Sequence, residues 1–596
     1  MYSSLIELLS NLSNQNKKKL LYLQFLLLIM ALFEVASILV IAPFMSLVAG
    51  NIDSESSKFI FFIKDTLDLT ELNDLIFITG FITLLVFIIS SFFSILTLYI
   101  STYFGNKIGA ELSTNLYNLF LSKPYLFHIN NNSSDLTSKI SFNAERTITV
   151  ILRVLSTNSS LIKAISIVVA LLIYNYKVAL LLGITFILTY FFIFFGLQST
   201  FDKIGYILST HQSKLYKLMT EGFGSIKDII VLSRRKFFVK EFRQSRDLIA
   251  SKSAFVTTMS LTPKPLIETV AMVSIISLIL YFVKTTNENV TSILTTLAVF
   301  GLGSYKLLPA FQDIYYNFST IKSSLPAYKA ISKYLDQANQ FKEKNNNNNP
   351  FLLKKGDFLK FENVNFFYDN NKDPSLSEIN IQINLNTTVG IVGQTGAGKS
   401  TFGNLILGIL KPTSGVVKIN DKKIDNDDQI QKWQKNISFV PQNLFLLETS
   451  IKNNIAFTFK DEDIDLNKLN KSCEMAQLSD FISSLDKKYD TMVGEKGIKL
   501  SGGQQQRIGI ARAIYHDTSI LFLDEATSAL DGVTEEKVIN SIKNTNNKTI
   551  FLISHNFSTI KNCDKIIYFE KGRIVASGSY DELMKNSDFK KLSEVS

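Results

Sequence analysis

Leu75–Phe104 is a run of 30 residues without one charged side chain. A helix of about 20 apolar residues already crosses the hydrocarbon core of a bilayer, so this run predicts a membrane span. Two more runs are of the same kind. Leu20–Ala49 is broken only by Glu34, and Val178–Phe201 has no charge. Three weaker runs, Val154–Asn175, Leu266–Val283 and Val290–Leu308, carry one ionisable residue each: Lys163, Glu268 and Lys306. Six spans are expected within residues 1–335. A mean hydropathy of +0.17 agrees with a chain that places much of its surface in lipid.

The net charge of +10 is unevenly spread. Residues 1–350 hold 31 basic and 21 acidic side chains, and residues 351–596 hold 31 of each. Basic charge beside long apolar runs reads as membrane topology rather than nucleic-acid binding, so no nucleic-acid partner is expected. Lys17, Lys18 and Lys19 precede the first run, and residues 201–252 carry eleven basic against five acidic side chains. Residues 50–74 carry six acids and two lysines. Basic loops stay inside, which puts both termini in the cytoplasm and the acidic loop outside. The first run is too long for a signal-peptide core and lacks a small-residue cleavage site, so it should remain as an anchor.

In the outer loop, Ser57–Leu69 fits either a short helix at the lipid interface or an ordinary packed loop. The two inner loops are too long to be structureless, so the spans should continue as helices into the cytoplasm. Ser122–Ser134 and Thr220–Asp228 are then candidates for contacting a second domain, with Gly222 and Gly224 able to turn the chain. From Tyr334 the apolar pattern collapses, and Asn345–Asn349 are followed by Pro350. Residues 336–356 are expected to be a polar linker. Cys473 and Cys563 lie too far apart in the chain to form a metal quartet, and a cytosolic setting keeps them reduced. His128, His211 and His516 are expected to be ordinary surface or core residues, and Trp433 to pack locally.

After the linker, short β-branched runs alternate with helical ones, as in an α/β domain over residues 357–596. The apolar run Val389–Val392 is followed by Gly393, Gln394, Thr395, Gly396, Ala397, Gly398, Lys399, Ser400 and Thr401, then by a helical stretch, Phe402–Leu410. This is G-x-x-x-x-G-K-S in a strand–loop–helix setting. Backbone N–H groups in such a loop close around phosphates. Lys399 brings a point charge to the β/γ-phosphates, and Ser400 a hydroxyl to Mg²⁺. Further on, the strand Ile520–Leu523 ends in Asp524 and Glu525. Asp524 suits the Mg²⁺ shell, and Glu525 suits a base that polarises the attacking water.

Leu500, Ser501, Gly502, Gly503 and Gln504 then narrow the class. With them the sequence resembles the ATP-binding cassette family, and the remaining family elements occur in order across about 240 residues. Tyr368 matches the aromatic that stacks on adenine. Gln442 matches the glutamine that touches Mg²⁺ and the attacking water. Glu495 matches the loop beside the signature in exporters, Ser528–Asp531 the D-loop, and His555 the switch histidine. Asn556 departs from the arginine that often follows it. The resemblance implies that Ser501, Gly502, Gly503, Gln504 and Asp531 complete the ATP site of a second copy. It implies catalytic roles for Glu525, His555 and Gln442, metal contacts from Ser400, Gln442 and Asp524, and ATP with Mg²⁺ as the bound species.

Six spans followed by one cassette resemble an exporter half-transporter: an all-α six-helix transmembrane domain followed by an α/β P-loop nucleotide-binding domain. This implies a homodimeric translocase in a bacterial cytoplasmic (inner) membrane, working by alternating access. The membrane half is similar to bacterial flippases for lipid-linked oligosaccharides, through ALFEVASILVIAPF around Glu34, the outer-loop segment, LTPKPLIE around Glu268 and GSYKLLP around Lys306. The expected cargo is an amphiphilic lipid-linked oligosaccharide moving among membrane lipids. Ionisable residues inside a membrane mark functional sites. Glu34, Lys163, Glu268 and Lys306 therefore either meet the cargo or pair with each other, and Lys306 is near enough to the inner end to snorkel. Other readings are export of a drug, lipid or small peptide, a cassette-gated channel, and a soluble cassette acting on DNA. Too little chain precedes Leu20 for a peptidase domain, which disfavours a leader-peptide exporter. Glu525 disfavours the channel, and the apolar runs disfavour the soluble cassette. Import is disfavoured because importers generally keep spans and cassette on separate chains.

Overall fold

A computed structural model describes residues 2–10, 13–48, 60–63, 65, 72–285, 290–340, 349–368, 373–543 and 548–595. The chain forms two compact units, Met1–Lys123 with Phe127–Glu343, and Lys344–Ser596 with Pro124–Leu126.

The first unit is helical. Its main helices are α1 (Asn14–Leu39), α2 (Ile41–Val48), α3 (Leu72–Ser122), α4 (Ala144–Tyr174), α5 (Tyr176–Gly224), α6 (Arg235–Leu261), α7 (Pro263–Thr285) and α8 (Val290–Gln340). Side-chain caps start two of them. Ser13 accepts from the Asn16 amide ahead of α1, and Asn175 accepts from the Val178 amide ahead of α5. Among the described residues, Asn14–Val48, Leu72–Ser122 and Ser133–Tyr174 are long and apolar enough to cross a membrane. Long α8 packs along α4 and α5, around buried Leu325, Tyr328 and Ile331. On α3, Phe77, Leu84, Ile88, Phe92 and Ile95 are exposed, an apolar surface suited to lipid.

Two details differ from the sequence-based expectations, and a third expectation falls largely outside the described residues. Helix α8 continues to Gln340, past the polar boundary, because Tyr328, Ile331, Leu335 and Ala338 form a buried stripe at helical spacing. Gly222 lies inside α5, and the chain turns at Ser225 before a short helix, Ile226–Val231. Of the outer segment 57–69, only 60–63 and 65 lie among the described residues; Ile60 and Ile63 pack with Leu47 and Leu75.

The second unit holds two sheets. One is antiparallel, in the order β2-β1-β4-β5, from β1 (Phe358–Phe366), β2 (Leu376–Asn384), β4 (Ser414–Ile419) and β5 (Lys422–Lys423). The other has the order β10-β9-β3-β8-β7-β6, from β3 (Thr388–Gly393), β6 (Ile437–Val440), β7 (Ile520–Asp524), β8 (Thr549–Ile553), β9 (Lys565–Glu570) and β10 (Arg573–Gly578). Strands β6, β7, β8, β3 and β9 are parallel, and β10 is an antiparallel edge. Every residue of β3 and β8 is buried, which explains their unbroken apolar sequence. Parallel register brings four carboxyl ends to one edge: Gly393, Val440, Asp524 and Ile553.

Candidate nucleotide site and membrane-region cavity

That edge places the sequence-predicted chemistry. Beyond β3, the loop Gln394–Gly398 leads into α9 (Lys399–Ile406). The helix ends earlier than the expected Leu410, since Gly408 takes a left-handed conformation at φ 64°. Gly393 admits no side chain, because a Cβ there would lie 2.3 Å from the Phe569 carbonyl oxygen. Gly398, at φ 99°, is similarly confined by Leu376 and the Ser375 carbonyl. The Lys399 side chain is only 6% exposed as a residue, and its ammonium donates to the carbonyls of Gly393 at 2.7 Å and Gln394 at 3.0 Å. Burial lowers its pKa, against the opposing charges of Glu525 and Asp524.

Glu525 follows β7 with φ 49°, and its amide donates to the Ile553 carbonyl, extending the ladder by one bond. Both of its carboxylate oxygens are held. Gln442 Nε2 donates to Oε2 at 2.6 Å, and His555 Nε2 lies 3.0 Å from Oε1. Asp524 beside it is pushed up to about 6 by burial and by the Glu525 charge, with Lys399 opposing. A pocket of about 710 Å³ brings Lys399, Ser400, Thr401, Gln442, Glu525 and His555 together, with Thr395, Gly396 and Gly398 also on its wall. Tyr368 stands by the same loop, its hydroxyl 3.3 Å from Thr401 Oγ1.

The residues could accommodate Mg²⁺. Ser400, the Gln442 amide oxygen and Asp524 offer hard oxygen donors, and a cation would relieve the crowding of Asp524 against Glu525. Among the described residues no cluster of three or more His, Cys, Asp and Glu forms a cage.

Sequence reasoning missed Ser375, Lys571 and Gly572 on the pocket wall. The signal available was slight: Lys571–Gly572 is the tight turn between β9 and β10, with φ 46° and 77°. Ser501, Gly502, Gly503 and Gln504 are not on this wall. They open α10 (Gly502–Tyr515), where Ser501 and Gln504 form a reciprocal capping box. Gln506 ties this helix to the following loop, donating to Ser528 and accepting from the Ala529 amide. Gln505 holds the Glu495–Gly497 turn through the Gly497 carbonyl. Asp531 accepts from the Thr534 amide at 3.0 Å, which keeps its carboxyl below the usual range.

Asn556 replaces the expected arginine without leaving a charge exposed. Its Nδ2 donates to buried Glu535, which also accepts from Thr527 and Thr559, each at 2.7 Å. Its Oδ1 caps the helix Phe557–Lys561. Trp433 is buried and donates to the Ile406 carbonyl at 2.6 Å. Both cysteines are free and buried.

In the first unit, Glu34, Lys163, Glu268 and Lys306 all line one cavity of about 500 Å³. Lys306 does not snorkel. Its ammonium lies 2.7 Å from Glu34 Oε2 and 2.6 Å from Ser37 Oγ, so α8 is pinned to α1. Lys163 donates to Ser94 Oγ at 2.7 Å. Lys264 and Asp313, which sequence reasoning missed, complete the ionisable lining. They fall just outside the apolar runs, where a hydropathy pattern has no reason to mark them.

Comparison with known proteins places these two sites in context. A family described as ABC transporter transmembrane region matches residues 20–304, and one described as ABC transporter matches residues 376–528. An ATP-dependent lipid A-core flippase of Wigglesworthia glossinidia brevipalpis is 28% identical over 505 residues, covering 82% of this chain and 84% of its own. Its namesake from Coxiella burnetii is 28% identical over 524 residues, 86% of each chain. A solved bacterial Atm1-family ABC exporter with ATP bound superposes with a TM-score of 0.76, covering 96% of this chain and 97% of its own, at 20% identity.

Proposed function

Because the chain belongs to the ATP-binding cassette transporters, as an ATP-hydrolysing exporter with its membrane region and cassette on one polypeptide, we propose that it is a homodimeric flippase for a lipid-linked oligosaccharide. We place it in a bacterial inner membrane, with six spans and with both termini and the cassette inside. The observation that carries the cargo class is the cavity holding six ionisable side chains within apolar helices. Such a wall receives a polar headgroup, while the exposed apolar flanks of α3 leave hydrocarbon tails in lipid. The relatives named as lipid A-core flippases favour a second reading within the same class, another glycolipid. Export of a drug or small peptide stands behind both.

The cassette chemistry assigns roles residue by residue. Loop amides 394–398 and the Lys399 ammonium would hold the nucleotide's phosphates, and Tyr368 its adenine. Ser400, Asp524 and Gln442 would hold Mg²⁺, which supplies charge neutralisation on the transferred phosphoryl group. Glu525 would accept a proton from water as it attacks, its carboxylate oriented by Gln442 and His555. Ser501 to Gln504 stand away from their own chain's phosphate pocket, which supports a site completed by Ser501, Gly502, Gly503, Gln504 and Asp531 of a second copy. Segments Ser122–Ser134 and Thr220–Asp228 would carry cassette movement to the helices. Phe223 and Ile226 in the latter, with Ile230 and Val231 just beyond it, are exposed apolar side chains suited to a protein contact.

The test is reconstitution into liposomes with a labelled lipid-linked oligosaccharide. ATP-dependent appearance of label in the opposite leaflet is expected. No movement of this lipid, alongside robust export of a drug-like dye, would overturn the cargo.

A further inference from the structure

The membrane-region cavity narrows the headgroup further, resting on the flippase reading above. Its ionisable lining is balanced rather than basic: Lys163, Lys264 and Lys306 face Glu34, Glu268 and Asp313. These six are not equivalent. Lys306 and Glu34 neutralise one another at 2.7 Å, with their side chains 18% and 12% exposed. Lys163 is held by the Ser94 hydroxyl, with Glu34 and then Asp313 within electrostatic reach. Lys264 and Glu268 stand exposed one turn apart on α7 and make no ion pair among the described residues. Asp313 in turn accepts from Ser160 and faces Lys163 and Arg153, so both signs of charge line the cavity and Lys264 and Glu268 are the pair with no ionic partner of their own among the described residues.

A purely anionic headgroup would set its charge against Glu268 and Asp313 in a medium of low dielectric, where like charges repel strongly. A neutral glycan would hydrogen-bond these groups through its hydroxyls but bring no opposite charge to any of them. A headgroup with one negative and one positive centre matches both signs of this lining and gives Lys264 and Glu268 each a partner. We propose that the cargo's headgroup carries both a phosphate and a protonated amine, as in an aminated phosphoglycolipid. Lys163 and Lys264 take the phosphate oxygens, and Glu268 and Asp313 take the ammonium. A volume of about 500 Å³ lies within the range of ligand pockets.

The test uses the full chain in lipid nanodiscs and two synthetic probes, polyprenyl-pyrophosphoryl glucosamine with its amine free and the same lipid N-acetylated. The free-amine form should bind about tenfold tighter or more. Glu268→Gln with Asp313→Asn should bring the two affinities within about twofold, by weakening the free-amine form and relieving repulsion of the N-acetyl form. Lys163→Gln with Lys264→Gln should weaken both forms. Equal affinities in the unmodified protein, tighter binding of the N-acetyl form, or a preference that survives the carboxylate substitutions would each overturn the proposal. If both forms are flipped equally, the zwitterionic headgroup falls and the lipid-linked cargo stands. If neither binds while a drug-like dye is exported, both fall.

Discussion

Glu525 is clamped at each oxygen, by Gln442 on one side and His555 on the other, so its orientation does not depend on its own rotamer preference. Replacing it by glutamine removes the proton acceptor while keeping the shape. Glu525→Gln should lower phosphate release by about a hundredfold or more and leave nucleotide binding in place, measured by equilibrium dialysis. Undiminished turnover would remove Glu525 from the role of base. At the two thiols, burial pushes Cys473 up to about 11 and Cys563 up to about 12. Neither should react with iodoacetamide at about pH 8 in the native protein, and both should react once it is unfolded; mass spectrometry reads the difference. The phosphate loop and the Asp524–Glu525 pair stand out by their strand settings, and Tyr368, Gln442 and His555 only through the family resemblance; the pocket gathers Lys399, Ser400, Thr401, Gln442, Glu525 and His555. The clamp was not legible. Gln442, Glu525 and His555 are distant in sequence, and only the parallel register of β6, β7 and β8 brings them together.

Among the elements, close helix approaches hang on single glycines. On α3, a Cβ at Gly105 would lie 2.3 Å from Leu152, and one at Gly109 would lie 2.3 Å from Ile148, both on α4. Small residues four apart let two helices approach this closely in lipid. At Gly205 on α5 the obstacle is backbone, the Ser323 carbonyl of α8 at 2.3 Å. A side chain can rotate away and a carbonyl in a helix cannot. Gly205→Val should therefore destabilise the helical unit more than Gly105→Ala, by roughly 1–3 kcal/mol on an overpacking scale, seen as a lower midpoint in thermal unfolding of the full chain. Equal midpoints for the two variants would refute the α5–α8 contact as drawn. The buried strands were readable as continuous apolar runs. These glycines were not, because all three lie just past the ends of the runs Leu75–Phe104 and Val178–Phe201, where nothing in the sequence says which neighbour a glycine faces. The end of α8 was hidden for the opposite reason: tertiary burial of Leu335 and Ala338 sustains a helix where overall polarity argues for a linker.

For the whole molecule, the signature residues on α10 and the phosphate pocket at Lys399 are separate surfaces of one cassette. If a second copy joins them, two inactive chains can repair each other. Lys399→Ala and Ser501→Arg chains should each fail to trap nucleotide alone. Mixed in one membrane, they should form one intact site and recover trapping in the hybrid dimers, measured by retained labelled nucleotide after washing. A mixture as inert as its components would refute the composite site. Finally, α3 and α8 each have 51 residues and α5 has 49, rods of about 75 Å at 1.5 Å per residue. A bilayer core of about 30 Å spans less than half of such a rod. The consequence is gearing: a rotation of about 10° at the lipid boundary sweeps the far tip through roughly 8 Å along the remaining length. Tip travel of several ångströms thus corresponds to a change of only a fraction as much beside Lys306, where α8 is pinned to Glu34 of α1. Such a lever trades distance for force at the charged cavity.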